Sequence, residues 1–303
     1  MLRWRLLLGT LFIAAIAGFC WADFRLEATI GVPGLGLLPV LVVLVVLATS
    51  EVLGLAAAAG VQPAAWAPQT GAVLIALSSW AAPLGDGLAR LSAAAGAADS
   101  AGASAGSEWI FLATGLAVIL VLVAEMARYR TPGGATAAVA TSVFAAIYVG
   151  VLMAFAVQLR MHWGLAALAS MLIVVKLSDI GAYTVGRLIG RHKMSPVISP
   201  GKTLEGAAGA IVFACLASWL TSLVVAGEGG NAGSAVGWIA YGALVAAAGM
   251  AGDLGESLLK RDVGRKDSSA WLPGFGGVLD MVDSVLLAAP IAYACWRFGL
   301  VGR

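Results

Sequence analysis

Nine stretches of the chain are strongly apolar, and the polar residues fall mostly between them. The stretches are Leu6 to Ala22, Leu35 to Ala57, Gly71 to Leu84, Trp109 to Ala124, Ala135 to Gln158, Trp163 to Leu177, Glu205 to Ala226, Ala235 to Ala251 and Val278 to Phe298. A helix that crosses a bilayer needs about 20 apolar residues, so nine would occupy roughly 180 positions and leave about 120 for connections. The pattern predicts an all-α integral membrane protein, a polytopic bundle of about nine transmembrane helices. The first stretch follows Arg3 and Arg5. It reads as an uncleaved span rather than a signal peptide, because the next apolar stretch follows closely and no small-x-small site is evident. The third is short, ends at Pro83-Leu84-Gly85, and reads as a short span or a re-entrant segment.

Composition narrows this picture. Of 303 residues, 61% are hydrophobic and 11% charged, against about 25% charged in soluble domains, which excludes an ordinary water-soluble enzyme. The net charge of +2 gives no general basic field, so nucleic acid is not an expected partner. Cys20, Cys215 and Cys295 lie inside apolar stretches without CxxC spacing and read as small buried hydrophobes.

The placement of cations predicts orientation, because Lys and Arg near span ends stay in the cytoplasm. With the N-terminus cytoplasmic, the inner side collects Arg3, Arg5, Arg128, Arg130, Arg187, Arg191, Lys193, Lys202, Lys260, Arg261, Arg265 and Lys266. The outer side keeps Arg25, Arg90, Arg160 and Arg303, with Arg297 near the last outer end. Residues 86–107 are nearly all Ala, Gly and Ser and read as a flexible outer loop. The chain is thus expected to divide into N-terminal transmembrane helices over 1–134, with the outer loop at 86–107, and a C-terminal transmembrane region over 135–303 that carries the candidate chemistry.

Charge inside a span costs about 2.5 to 3.5 kcal/mol per residue and marks function by default. Acidic residues gather at the inner ends of the last four apolar stretches. Asp179 follows Lys176 by three residues, so the two share a helical face and can pair. In Gly252 to Lys260, Asp253, Glu256, Ser257 and Lys260 fall on one stripe of a helix. Next comes Leu272-Pro273-Gly274-Phe275-Gly276-Gly277-Val278-Leu279-Asp280-Met281-Val282-Asp283-Ser284, where glycines admit an anion to the backbone and Asp280 and Asp283 share a face. Such carboxylates at an apolar helix start suit a divalent metal. The cationic loop from Gly186 through Arg187, Ser199, Lys202 and Thr203 suits a polyphosphate. Gly201-Lys202-Thr203 is not a P-loop, since Pro196 stands where its first glycine would be. Thr203 also reads as a helix cap, with Glu205 in the first turn.

These residues resemble the phosphatidate cytidylyltransferase (CDP-diacylglycerol synthase) family. Its C-terminal signature runs roughly S-x-x-K-R-x4-K-D-x5-P-G-H-G-G-x-x-D-R-x-D, and this chain carries Ser257, Lys260, Arg261, Lys266, Asp267, Pro273, Gly274, Gly276, Gly277, Asp280 and Asp283 at matching places. Ser178-Asp179-Ile180-Gly181-Ala182-Tyr183, Gly186-Arg187, Gly190 and Ile198 to Gly206 are similar to a second region of that family. Two positions depart: Phe275 stands where the signature has His, and Met281 where it has Arg.

The resemblance implies that CTP and phosphatidate give CDP-diacylglycerol and pyrophosphate at the inner face of the cell membrane, in a possible homodimer. It implies Mg²⁺, with room for a second cation, on Asp253, Asp280 and Asp283. Lys260 joins these aspartates as catalytic. Arg187, Lys202, Arg261 and Lys266 bind phosphate with Ser257, Gly276 and Gly277. Ser199, Thr203 and Glu205 help to hold the loop or nucleotide, and Asp179 is a polar cavity residue. Rival readings are a CTP-dependent polyprenol or phytol kinase, a transporter, and a lipid-binding relative without activity.

Overall fold

A computed structural model of the chain describes residues 18–29, 31–81, 106–227, 233–269 and 276–302. Most of the first apolar stretch and of the 86–107 loop, together with Pro273, Gly274 and Phe275, therefore lies outside the described residues. The described chain is helical apart from one hairpin. Its elements are α1 (residues 18–29), α2 (Leu38–Ala58), α3 (Trp66–Leu77), α4 (Gly106–Arg128), α5 (Ala135–Ile189), β1 (Lys193–Ser195), β2 (Ser199–Thr203), α6 (Leu204–Gly227), α7 (Ala235–Asp262) and α8 (Val278–Arg297).

Six of these helices, α2 and α4 to α8, are long and apolar enough to cross a membrane. Large apolar side chains stand exposed along them, as Phe111, Ile119 and Met126 do on α4 and Val212, Leu216 and Val224 on α6. In water such faces would drive association; in a bilayer they meet acyl chains. By contrast, α3 has only 12 residues, about 18 Å of helix, and it falls short of the bilayer core by itself.

At 55 residues, α5 would be about 80 Å long if straight, more than twice the bilayer core. It breaks at Gly164, whose backbone takes φ 78° and ψ −173°, a conformation open to glycine and strained for other residues. The break falls at the boundary expected between the fifth and sixth apolar stretches. The limb beyond it does not stop near Leu177, however. It continues to Ile189, so Tyr183 and Arg187 sit on helix instead of a loop, and Asp179 lies within the helix rather than at its end. The segment expected to be a cationic loop is a two-stranded antiparallel hairpin, in which Ser195 pairs with Ser199 and Lys193 with Thr203.

The chain forms two compact units. The first runs from Met1 to Val157 and takes in Ser269–Val278. There α2, α3 and α4 pack through small residues: Ala64 and Ala67 meet Val121 and Ala124, and Ile75 meets Ala113 and Ala117. Two carboxylates there, Asp23 buried and Glu125 partly buried, cap backbone. Asp23 accepts from Gly36 N–H at 3.0 Å, and Glu125 from Ala64 N–H at 2.6 Å.

The second unit comprises Gln158–Ser268 and Leu279–Arg303. Here the lower limb of α5 lies close against α6, with the Val185 side chain packed over Gly209 and that of Phe213 over Gly181. A Cβ on Gly209 would stand 2.9 Å from the Gly181 carbonyl oxygen, and one on Gly206 would stand 2.9 Å from that of Ala182. Small residues are what let helix backbones approach in a membrane. Gly209→Val is therefore expected to force the two helices apart, costing about 1 to 3 kcal/mol, read as a lower thermal midpoint in detergent. An unchanged midpoint would show that this contact is not close in solution.

Candidate active site

Within the second unit, α5, the hairpin, α7 and α8 enclose a cavity of about 510 Å³. Lys176, Asp179, Tyr183 and Arg187 reach it from α5, Lys202 and Thr203 from β2, Asp253, Glu256 and Lys260 from α7, and Asp280 and Asp283 from α8. Residues far apart in sequence, and expected separately to serve metal or phosphate, are thus neighbours.

The helical stripe on α7 points inward. Glu256 is fully buried, and Ser257 and Lys260 are each 8% exposed, so this is no solvated amphipathic face. The Lys260 ammonium lies between two carboxylates, 2.5 Å from Glu256 Oε2 and 2.5 Å from Asp280 Oδ1. The other Asp280 oxygen, Oδ2, accepts from Ser268 N–H at 3.0 Å and from its hydroxyl at 2.6 Å. Asp280 thereby fixes the start of α8 to the chain that follows α7. Glu256 Oε1 is buried without a hydrogen-bond partner among the described residues.

Lys202 lies 2.7 Å from Asp253 Oδ2, an ion pair by distance whose angles fall outside a directed hydrogen bond. Asp253 also faces Ser257 Oγ at 3.5 Å. Asp283 Oδ1 accepts from the N–H and the hydroxyl of Ser284, and it feels the negative charges of Asp253 and Asp179. On α5, Asp179 pairs with Lys176 at 3.3 Å, and Arg187 donates to the Tyr183 hydroxyl while its guanidinium lies over that ring.

Several expected site residues serve the frame around this cavity. Thr203 Oγ1 accepts from Gly206 N–H at 3.1 Å, which makes it the cap of α6, and Thr203 also lines the cavity. Glu205 accepts from the N–H groups of Arg191 and His192 and sits 2.6 Å from His192 Nδ1, so it clasps the turn entering the hairpin. Arg261 donates to the carbonyls of Ile198 and Arg265 and joins the hairpin tip to the end of α7. Ser199, Glu205, Ser257, Arg261, Lys266, Gly276 and Gly277 are not among the residues lining the cavity.

Two carboxylates beyond those expected prove central to the architecture. Glu256 was visible as part of the α7 stripe, but its pairing with Lys260 emerges only in three dimensions. Glu51 is the sole acid in α2. In the first unit its Oε1 accepts from the Ser269 hydroxyl at 2.7 Å and from Val278 N–H at 3.0 Å. The expense of a lone carboxylate within an apolar helix was its available signal.

Among the described residues no three His, Cys, Asp or Glu side chains converge closely enough to hold a metal ion by themselves. The donor chemistry nevertheless fits a cation shared with substrate. Mg²⁺ takes one or two carboxylates together with substrate phosphates, not an all-protein cage. Asp253 and Asp283 present hard oxygens to one cavity, whereas both Asp280 oxygens are already engaged within the protein.

Comparison with known proteins adds to the geometry. The profile of the Cytidylyltransferase family matches residues 28–298. A phosphatidate cytidylyltransferase from Mycobacterium bovis is 37% identical over 169 residues, covering 55% of this chain and 52% of that protein. One from Helicobacter pylori is 45% identical over 127 residues, covering 42% of this chain and 46% of its own. One from Bacillus subtilis is 39% identical over 155 residues, covering 49% and 55%. The chain spans about half the length of the curated relatives it matches.

Proposed function

Because this chain belongs to the cytidylyltransferase family, we propose that it is a phosphatidate cytidylyltransferase, converting CTP and phosphatidate to CDP-diacylglycerol and pyrophosphate. The observation that carries this reading is the alternation of carboxylates and lysines around one cavity, with Lys202 on Asp253 and Lys260 between Glu256 and Asp280. Two polyanions must meet here, and such a lining offers each a cation held in place beforehand.

In the reaction an oxygen of the lipid phosphate bonds to the α-phosphorus of CTP, the α–β anhydride bond breaks, and pyrophosphate leaves with the electron pair. A phosphomonoester is largely ionised at neutral pH, so no strong base is needed. Lys202 and Lys260 bind the triphosphate and offset the charge growing on the leaving group. Asp253 and Asp283, with Asp280 beside them, would hold Mg²⁺, and a second cation would have room among the five cavity carboxylates. When bound, the cation neutralises phosphate charge and orients the displacement. Arg187 with Tyr183 guards the cavity rim. Asp179 orients Lys176. Ser199, Thr203, Glu205 and Arg261 keep the hairpin in register, and Ser257 supports Asp253. Lys266, Gly276 and Gly277 are kept as candidate phosphate contacts by their places in the sequence pattern.

We further read the chain as crossing the cell (inner) membrane nine times, with its N-terminus and active site cytoplasmic. Residues 1–134 act as a membrane scaffold, residues 135–303 form the catalytic region, and the protein works as a homodimer without nucleic acid. Purified protein in detergent with labelled CTP, phosphatidate and Mg²⁺ is expected to yield a labelled CDP-lipid and pyrophosphate. Release of CDP with a newly phosphorylated lipid alcohol would replace this reading by a kinase, and the absence of turnover would remove the enzyme reading.

A further inference from the structure

The cavity lysines differ in what already holds them. Lys260 is 10% exposed in its side chain and has two carboxylates at 2.5 Å; Lys202 is 23% exposed with Asp253 at 2.7 Å. Lys176 is 54% exposed, and its contacts are the longest of the three, 3.3 Å to Asp179 Oδ2 and 3.4 Å to the Met281 carbonyl oxygen. It is therefore the most exposed and most loosely held of the three cavity cations, the one an incoming anion can reach from outside.

Its surroundings identify which anion. Ile173, Lys176, Ile180 and Tyr183 fall within one narrow arc of α5, and the three apolar members are 45%, 50% and 63% exposed. These residues stand exposed on a helix long and apolar enough to cross a membrane. A cation set in such an apolar stripe, and also lining the cavity, can meet a phosphate whose acyl chains stay in the bilayer. A water-soluble nucleotide has no need of that stripe.

Lys176 also stands beside Met281, one of the two departures from the arginine-bearing signature. A lysine on α5 brings a positive charge to the very turn of α8 where residue 281 supplies none. We infer that Lys176 is the cation that binds the phosphate of the lipid substrate, taking on α5 the place that a side chain at position 281 leaves vacant on α8. This inference rests on the proposed reaction.

The test is a set of Lys176→Met, Lys176→Arg and Lys176→Met/Met281→Arg variants, each with its thermal midpoint measured to establish folding. Lys176→Met is expected to raise the KM for phosphatidate about ten- to a hundredfold, the scale of one lost charge-assisted hydrogen bond, with the KM for CTP within about twofold of wild type. Lys176→Arg should retain most of the affinity, and Met281→Arg should restore much of what Lys176→Met loses. A rise in the KM for CTP instead would assign Lys176 to the nucleotide and overturn the inference, as would an unchanged KM for phosphatidate in the folded Met variant. A parallel measurement separates this outcome from failure of the reaction itself. If the wild type forms no CDP-lipid, binding of phosphatidate in mixed micelles should still weaken in Lys176→Met. Equal binding by the two proteins would refute the inference independently of turnover.

Discussion

Lys260→Met is expected to lower kcat by about 10³-fold or more and to destabilise the protein at the same time. The ammonium it removes is the shared partner of Glu256 and Asp280, each 2.5 Å away, and Glu256 is wholly buried. Removing one partner from a buried ionic cluster costs about 3 to 5 kcal/mol, because the remaining charge stays in a poor dielectric. The loss in rate follows separately, since a preorganised cation aimed at developing phosphate charge is commonly worth about 10² to 10³ in rate. Glu256→Gln divides the two effects. It leaves Lys260 paired with Asp280, so most of the stability should survive, and the rate should fall less than in Lys260→Met. Thermal unfolding in detergent and initial rates at saturating CTP would measure both. Lys260→Met with more than about a tenth of wild-type kcat would remove Lys260 from the chemistry.

The cluster's logic explains why parts of the site could be read from the chain and parts could not. Helical spacing alone put Asp253, Glu256, Ser257 and Lys260 on one stripe, and Asp280 with Asp283 on another; both helices form, and all of these but Ser257 line one cavity. In a chain with 11% charged residues, carboxylates at the ends of apolar helices are costly enough to be conspicuous. Partner choice was hidden. Nothing in the spacing indicates that Asp280 would spend its oxygens on Lys260 and Ser268, or that Asp253 would meet Lys202 from the hairpin. Those are contacts between elements, set by how helices pack. The same holds for Glu205, whose acid-in-first-turn signature fits a helix dipole equally well, while the structure employs it to hold Arg191 and His192 backbone.

Secondary structure shows a similar divide. The break at Gly164 fell where apolar character lapsed around Gln158 to Trp163, so the two halves of α5 were legible. The end of its second half was not, because hydropathy falls at Asp179 although the helix does not. Tyr183 and Arg187 keep the α5 lower limb polar enough to look like a loop. What sustains it as helix is packing: Gly181 and Gly186 allow the α6 backbone to lie directly against it. The hairpin was missed for a related reason. Lys193–Ser195 and Ser199–Thr203 show none of the β-branched alternation that marks a strand. The hairpin is pinned from its ends, by Glu205 and by Arg261.

Asp253→Asn and Asp283→Asn are expected each to reduce turnover by about 10³-fold, and together by little more than either alone. Residues that hold one cation with one substrate act as a unit, and such losses do not add. Asp283 lies within the field of Asp253 and Asp179, and carboxylates gathered in an apolar setting require a counter-charge. Lys202 answers Asp253, which leaves Asp283 with its neighbour's hydroxyl and N–H. A divalent cation arriving with the triphosphate would answer both. Asp280→Asn should behave differently, since that residue's oxygens hold Lys260 and Ser268: its activity should fall with a loss of stability, whereas Asp283→Asn should keep or gain stability as repulsion is relieved, and Asp253→Asn, which sheds the same repulsion but gives up Lys202, should change stability little. The discriminating measurement is the Mg²⁺ concentration for half-maximal rate, expected to rise steeply for Asp253→Asn and Asp283→Asn and to change little for Asp280→Asn. If Asp280→Asn alone moved the Mg²⁺ requirement, the cation would belong to the start of α8, and Asp253 would be reduced to holding Lys202.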